Sequence, residues 1–187
     1  TGEYLVGQEN AGHPASFSRF DGLSMLLVLA AALTWIVQPE GHAAGVLFVA
    51  AGAANLIRVA RWRGWLAWRE PLVWVLSVGY GWLALSLFAL GGAVLGVLPA
   101  ANAVHVLTTG AVGTMTLGVM TRASLGHTGR PRHADLTTAA MYVLVNVGAI
   151  FRVLAPAADA SAAWSDLMLI LAGVACAGAD KLVAPGS

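Results

Sequence analysis

Histidine inside an apolar run has two uses, ligation of a metal or a hydrogen bond to a neighbouring helix. His105 opens such a run, and the stretch from His105 to Arg132 reads HVLTTGAVGTMTLGVMTRASLGHTGRPR. A neutral imidazole is the usual ligand of haem iron or copper, and burial favours the neutral form that metals need. His105 is therefore the candidate metal ligand, against the plainer reading of a histidine bonded to another helix or to interfacial water. Below it Thr109, Val112, Thr116 and Val119 or Met120 follow helical spacing, while Gly110, Gly113 and Gly118 thin other sides of the same helix. Small residues let helices approach closely in lipid. A flat macrocycle lying on the backbone needs the same residues, so the glycines leave both readings open.

The cations form a second set. Arg58, Arg122 and Arg152 fall at or just inside the ends of apolar runs, where an arginine snorkels to the interface by default. The functional alternative is a guanidinium paired with a haem propionate. The segment from Arg122 to Arg132 is expected to be a tight connection, with Gly126, His127, Thr128, Gly129 and Pro131 holding several cations for lipid phosphate, a propionate or a partner protein. Side-chain catalysis has no support. There is no P-loop, Gly-x-Ser-x-Gly elbow, His-Glu-x-x-His pair or dinucleotide fingerprint, and Glu70, Asp135 and Asp166 stand as single acids.

These residues have to be positioned by membrane helices. Hydrophobic residues make up 58% of the 187, charged residues only 10%, and the mean hydropathy is +0.76; that composition is a membrane protein's. A net charge of +1 argues for no nucleic-acid partner, and Cys176, the single cysteine, permits neither an internal disulfide nor a thiolate cluster. The expected fold is an all-α polytopic bundle of about six transmembrane helices. Residues 1–21 read as an extramembrane lead-in, 22–181 as the membrane domain and 182–187 as a loose tail. The spans expected are Leu23 to Val37, Ala43 to Ala60, Leu72 to Leu98, Asn102 to Thr121, Leu136 to Leu154 and Trp164 to Ala179. Arg61, Arg63 and Arg69, interleaved with Trp62, Trp65 and Trp68, and then Arg130 and Arg132, mark two connections as cytoplasmic, with both termini on that side. His42, in the turn after Pro39, then shares the opposite surface with His105, and a pair of axial ligands from two helices becomes geometrically possible. A short echo between Leu56-Ile57-Arg58-Val59 and Ile150-Phe151-Arg152-Val153 has the form of an inverted repeat.

The run HVLTTGAVGTMTLGVMTRASLGHTGRP from His105 to Pro131, with RVARWRGWLAWREPLVWVL from Arg58 to Leu76 and HPASFSRFDGLSMLL from His13 to Leu27, resembles the NnrS family. The resemblance implies a bacterial inner-membrane protein that carries haem and copper and takes part in the response to nitric oxide. Family members are longer, and this chain is similar to their C-terminal half; the histidine-rich segment of the other half has no counterpart here. The family has histidine where this chain has Asn55 and Ser77, so any cofactor site here is left to His105 with His13, His42 or His127, and with Arg58, Arg122 and Arg130 toward the propionates. The partners implied are the lipid bilayer, haem, nitric oxide as a ligand, and either a second copy of the chain or a missing N-terminal half. Three functions follow: a haem protein of nitrosative-stress defence, a transporter or channel-like module without a redox cofactor, and a non-catalytic assembly factor.

Overall fold

A computed structural model of the chain describes residues 18–63, 70–127 and 136–154, together with Asp166 and Ile170. Those residues are mainly helical, and five of the helices are long and apolar enough to cross a membrane. They are α1 (Arg19–Val37), α2 (His42–Trp62), α3 (Pro71–Val94), α4 (Ala100–His127) and α5 (Leu136–Leu154). The expected sixth span, from Trp164 to Ala179, lies outside the described residues apart from Asp166 and Ile170, as do the 1–17 stretch and the 182–187 tail.

Local chemistry sets the helix ends. α1 begins one turn earlier than its apolar run predicts, because Ser18 and Asp21 close a capping box: the Ser18 backbone N–H and hydroxyl both donate to Asp21 Oδ2, at 2.8 and 3.0 Å. The lead-in read as residues 1–21 therefore gives way to helix at Arg19. Pro71 opens α3 at a position where its missing N–H costs nothing. Four residues before the expected end at Leu98, α3 stops at Val94. Gly96 takes φ +73°, its N–H bonds to Ala93 O, and Val97 N–H bonds to Gly92 O at 2.8 Å; this Schellman closure needs the left-handed residue that glycine supplies.

α4 departs most from expectation. It runs on as helix through Arg122 to His127, so this part of the expected tight connection is helical and Arg122 is an exposed helical residue; the part from 128 to 132 lies outside the described residues. Gly126 is no obstacle, since nothing lies within contact of its missing side chain. In its middle, Val106–Gly113 is π-helical, between α-helical segments Ala100–His105 and Thr114–His127. Wider winding there shifts the faces that a 3.6-residue period assigns to Thr109 and Val112.

The helices pack antiparallel with α3 at the centre, against α2 on one side and α4 on the other, while α1 packs on α2 and α5 on α4. Ala31, Ala44, Ala51, Ala84 and Ala103 are fully buried, and the Gly45 backbone approaches that of Gly91 closely. Small residues at the contacts are what lipid favours, because hydrocarbon removes the hydrophobic drive between helices and leaves close packing to hold them. Leu23, Leu26, Leu29, Leu33 and Ile36 on α1 stay exposed, a face that belongs against acyl chains.

Candidate functional site

Two polar clusters and one histidine stand out within this apolar bundle. The first cluster lies where α1 begins and α2 ends. Arg58 Nε stands 3.1 Å from Asp21 Oδ1, with side-chain exposures of 6% and 3%. Arg58 Nη1 donates to Tyr80 Oη at 2.7 Å, and Tyr80 donates in turn to Asn55 Oδ1 at 2.7 Å. Asn55 Nδ2 ends the chain on Ala51 O. The guanidinium also lies 4.7 Å from the Trp62 ring centroid, and Arg61 reaches back to the Ser18 hydroxyl at 3.2 Å. Arg58 thus does not snorkel. It is buried, and it joins α1, α2 and α3 through an ion pair, a hydrogen bond and a cation–π contact.

The second cluster ties α3, α4 and α5. Trp82 Nε1 donates to Asn146 Oδ1 at 2.8 Å, Thr114 Oγ1 donates to the same oxygen at 3.3 Å, and Asn146 Nδ2 donates to Tyr142 O. The Trp82 ring lies flat against the π-helical segment: a Cβ at Gly110 would stand 2.5 Å from the indole. Gly118 faces Val75 and Leu76. The flat ring that lies against Gly110 is thus an indole of the protein itself.

His105 closes the first α-helical segment of α4 and is half-buried. Its carbonyl accepts a hydrogen bond from Thr109 Oγ1 at 2.6 Å, and the π-helical segment begins at the next residue. Among the described residues its imidazole has no hydrogen-bond or ion-pair partner. One turn earlier stands Asn102, 6% exposed, with a buried Oδ1 that accepts no hydrogen bond. His42 is exposed at the start of α2. It shares one end of the bundle with His105, as the topology requires, but α3 stands between their helices and α2 and α4 make no substantial contact. A cavity of about 310 Å³ opens at that end between α1, α3 and α4, lined by Trp35, Glu40, Leu90 and Val104 among others; neither histidine lines it.

Arg122 and His127 sit at the other end of α4, roughly 25 and 33 Å from His105 at 1.5 Å per residue. Arg152 is half-buried in the last turn of α5. His13 and Arg130 lie outside the described residues. Among the described residues no three of His, Cys, Asp and Glu gather as a metal-holding group. Asp21, Tyr80 and Trp82, which build the two clusters, carry no sequence signal of pairing; only the presence of an acid and an arginine in apolar surroundings points to the first.

A family model described as NnrS protein matches residues 3–180 of the chain. No curated protein and no solved structure matches it.

Proposed function

The chain belongs to the NnrS family, and on that premise we propose that it is a haem-binding protein of the bacterial inner membrane in the response to nitric oxide. Both termini and the basic connections after α2 and α4 face the cytoplasm, by the bias of Arg61, Arg63, Arg69, Arg130 and Arg132. His105 and His42 then lie toward the opposite surface.

The observation that carries the haem reading is the state of His105: a half-buried imidazole in an apolar bundle, without a protein partner among the described residues, one turn from a buried acceptor that is also free. A ligating histidine gives its lone pair to the metal and its N–H to a nearby acceptor, and these are the two capacities left open here. The donor set fits a single axial histidine. It does not fit a His42–His105 pair, because α3 separates the two helices, nor a propionate clamp by Arg58, whose guanidinium is held by Asp21, Tyr80 and Trp62. Arg122 is too far along α4 to reach a group at His105. For copper, the described residues hold no ligand cluster, so the proposal is confined to haem. A haem held by His105 would supply an iron able to bind a diatomic ligand.

The transporter reading rested on polar groups inside the spans. Asn55, Asn146 and Arg58 are all spent in bonds within and between helices, which leaves them unavailable to line a polar path. The test of the haem reading is the absorption spectrum of detergent-purified protein from haem-replete cells. A Soret band that shifts with nitric oxide and vanishes in His105→Ala is expected. Colourless wild-type protein overturns the reading.

A further inference from the structure

Asn102 is buried at the start of α4, and among the described residues its Oδ1 is an acceptor with no donor. An orphaned buried acceptor costs about 1–3 kcal/mol of desolvation, so an amide at that place calls for a partner. The nearest candidate in sequence is His105, three residues on and on the same helix face. Helical side chains lean toward the N-terminus, so a residue covers the turn before its own Cα, and for His105 that is the turn that holds Asn102. The rest of the turn is fixed. Thr109 holds the His105 carbonyl, Ala103 and Val106 are buried against Ala89, and the π-helical segment takes over from Val106. The ring torsions of His105 and the amide torsions of Asn102 remain as the adjustable parts of this face.

We propose that Asn102 is a positioning residue for His105: by rotation of the two side chains from their unbonded arrangement, its Oδ1 comes to accept one imidazole N–H and so fixes the tautomer that leaves the other ring nitrogen's lone pair for iron. The proposal rests on the reading of His105 as the haem ligand. It assigns a reason for a buried amide in this apolar bundle. An acceptor behind a ligating histidine sets ring orientation and raises ligand basicity, and its loss costs about 10–100-fold in affinity for the metal group.

The experiment compares wild type, Asn102→Leu and Asn102→Asp in detergent, with circular dichroism to confirm helix content. In haem-free protein labelled with ¹⁵N-histidine, the His105 resonances are identified by their loss in His105→Gln. One dominant tautomer is expected in wild type and in Asn102→Asp, and averaged tautomers in Asn102→Leu. In protein titrated with haem, Asn102→Leu binds roughly 10–100-fold more weakly, and its iron–histidine stretching band falls in frequency; Asn102→Asp, which keeps an acceptor, restores both. Unchanged tautomer, affinity and stretching band in Asn102→Leu overturn the role of Asn102 while His105 remains the ligand. Wild-type protein that takes up no haem overturns the reading of His105 itself, and the tautomer measurement still reports on the pair.

Discussion

Arg58 and Asp21 meet at 3.1 Å inside the bundle, with neither side chain more than 6% exposed. An unpaired charge is expensive in hydrocarbon, and a charge with its counter-ion much less so. The pair therefore explains how an acid can sit in the first turn of a membrane helix and an arginine near the end of the next. Removing one partner leaves the other uncompensated, whereas removing both leaves an apolar contact. Asp21→Leu and Arg58→Leu are each expected to lower the unfolding temperature in detergent, and the double variant to lower it less than either. An additive loss across the cycle would show that the two charges are not coupled.

Tyr80 bridges that pair to Asn55, accepting a hydrogen bond from Arg58 and donating one to Asn55. Phenylalanine at this place keeps the ring that packs on Trp62, 4.9 Å away between centroids, and deletes both bonds. Tyr80→Phe is expected to cost about 1–3 kcal/mol, the penalty of two stranded polar groups. Combined with Asn55→Leu the loss should be less than additive, because the second change removes one of the stranded groups. Equilibrium unfolding in mixed micelles measures both.

The glycines of α3 and α4 separate into two kinds. A methyl at Gly110 meets the Trp82 ring at 2.5 Å, but at Gly81 nothing lies within 4 Å. Gly110→Ala should destabilise by about 1–3 kcal/mol through overpacking. Gly81→Ala should be neutral or gain up to about 1 kcal/mol from helix propensity. Equal effects at the two sites would deny that the indole sits on the α4 backbone.

Asn146 serves both Trp82 and Thr114 with one oxygen. Leucine there strands the indole N–H and the hydroxyl, at about 1–3 kcal/mol. Trp82→Phe in the same chain should recover part of that loss. The readout is again the double cycle, and a double variant as weak as the sum of the singles would remove Asn146 as the shared acceptor.

What the sequence makes legible follows from range. α5 spans Leu136–Leu154 as its apolar run predicts, because a span's length is local information. The early stop of α3 was written in Gly96, whose left-handed φ ends the helix, but an apolar run to Leu98 conceals it. The π-helical turn of α4 has no sequence signature, since its residues keep the composition of a helix and only packing on Trp82 distinguishes it. Arg58 is visible as an anomaly, but its partner is not. Asp21 stands on another helix, and pairing them takes the antiparallel register of α1 and α2. The same holds for Trp82 and Asn146, 64 residues apart. His42 and His105 are a converse case: topology places them at one end, and only packing reveals that α3 stands between.

That separation gives the sharpest test of the proposed haem site. If one histidine holds the iron, His42→Ala leaves the Soret band, its response to nitric oxide and the haem affinity as in wild type, whereas His105→Ala abolishes all three. If both were axial ligands, His42→Ala would convert a six-coordinate spectrum to a five-coordinate one and weaken binding. An exposed residue at the start of α2 tolerates alanine without loss of core packing, so a spectral change in His42→Ala would report ligation rather than misfolding. It would require α2 and α4 to approach each other past α3, against the packing of Gly45 on Gly91 and Gly110 on Trp82 that holds α3 between them.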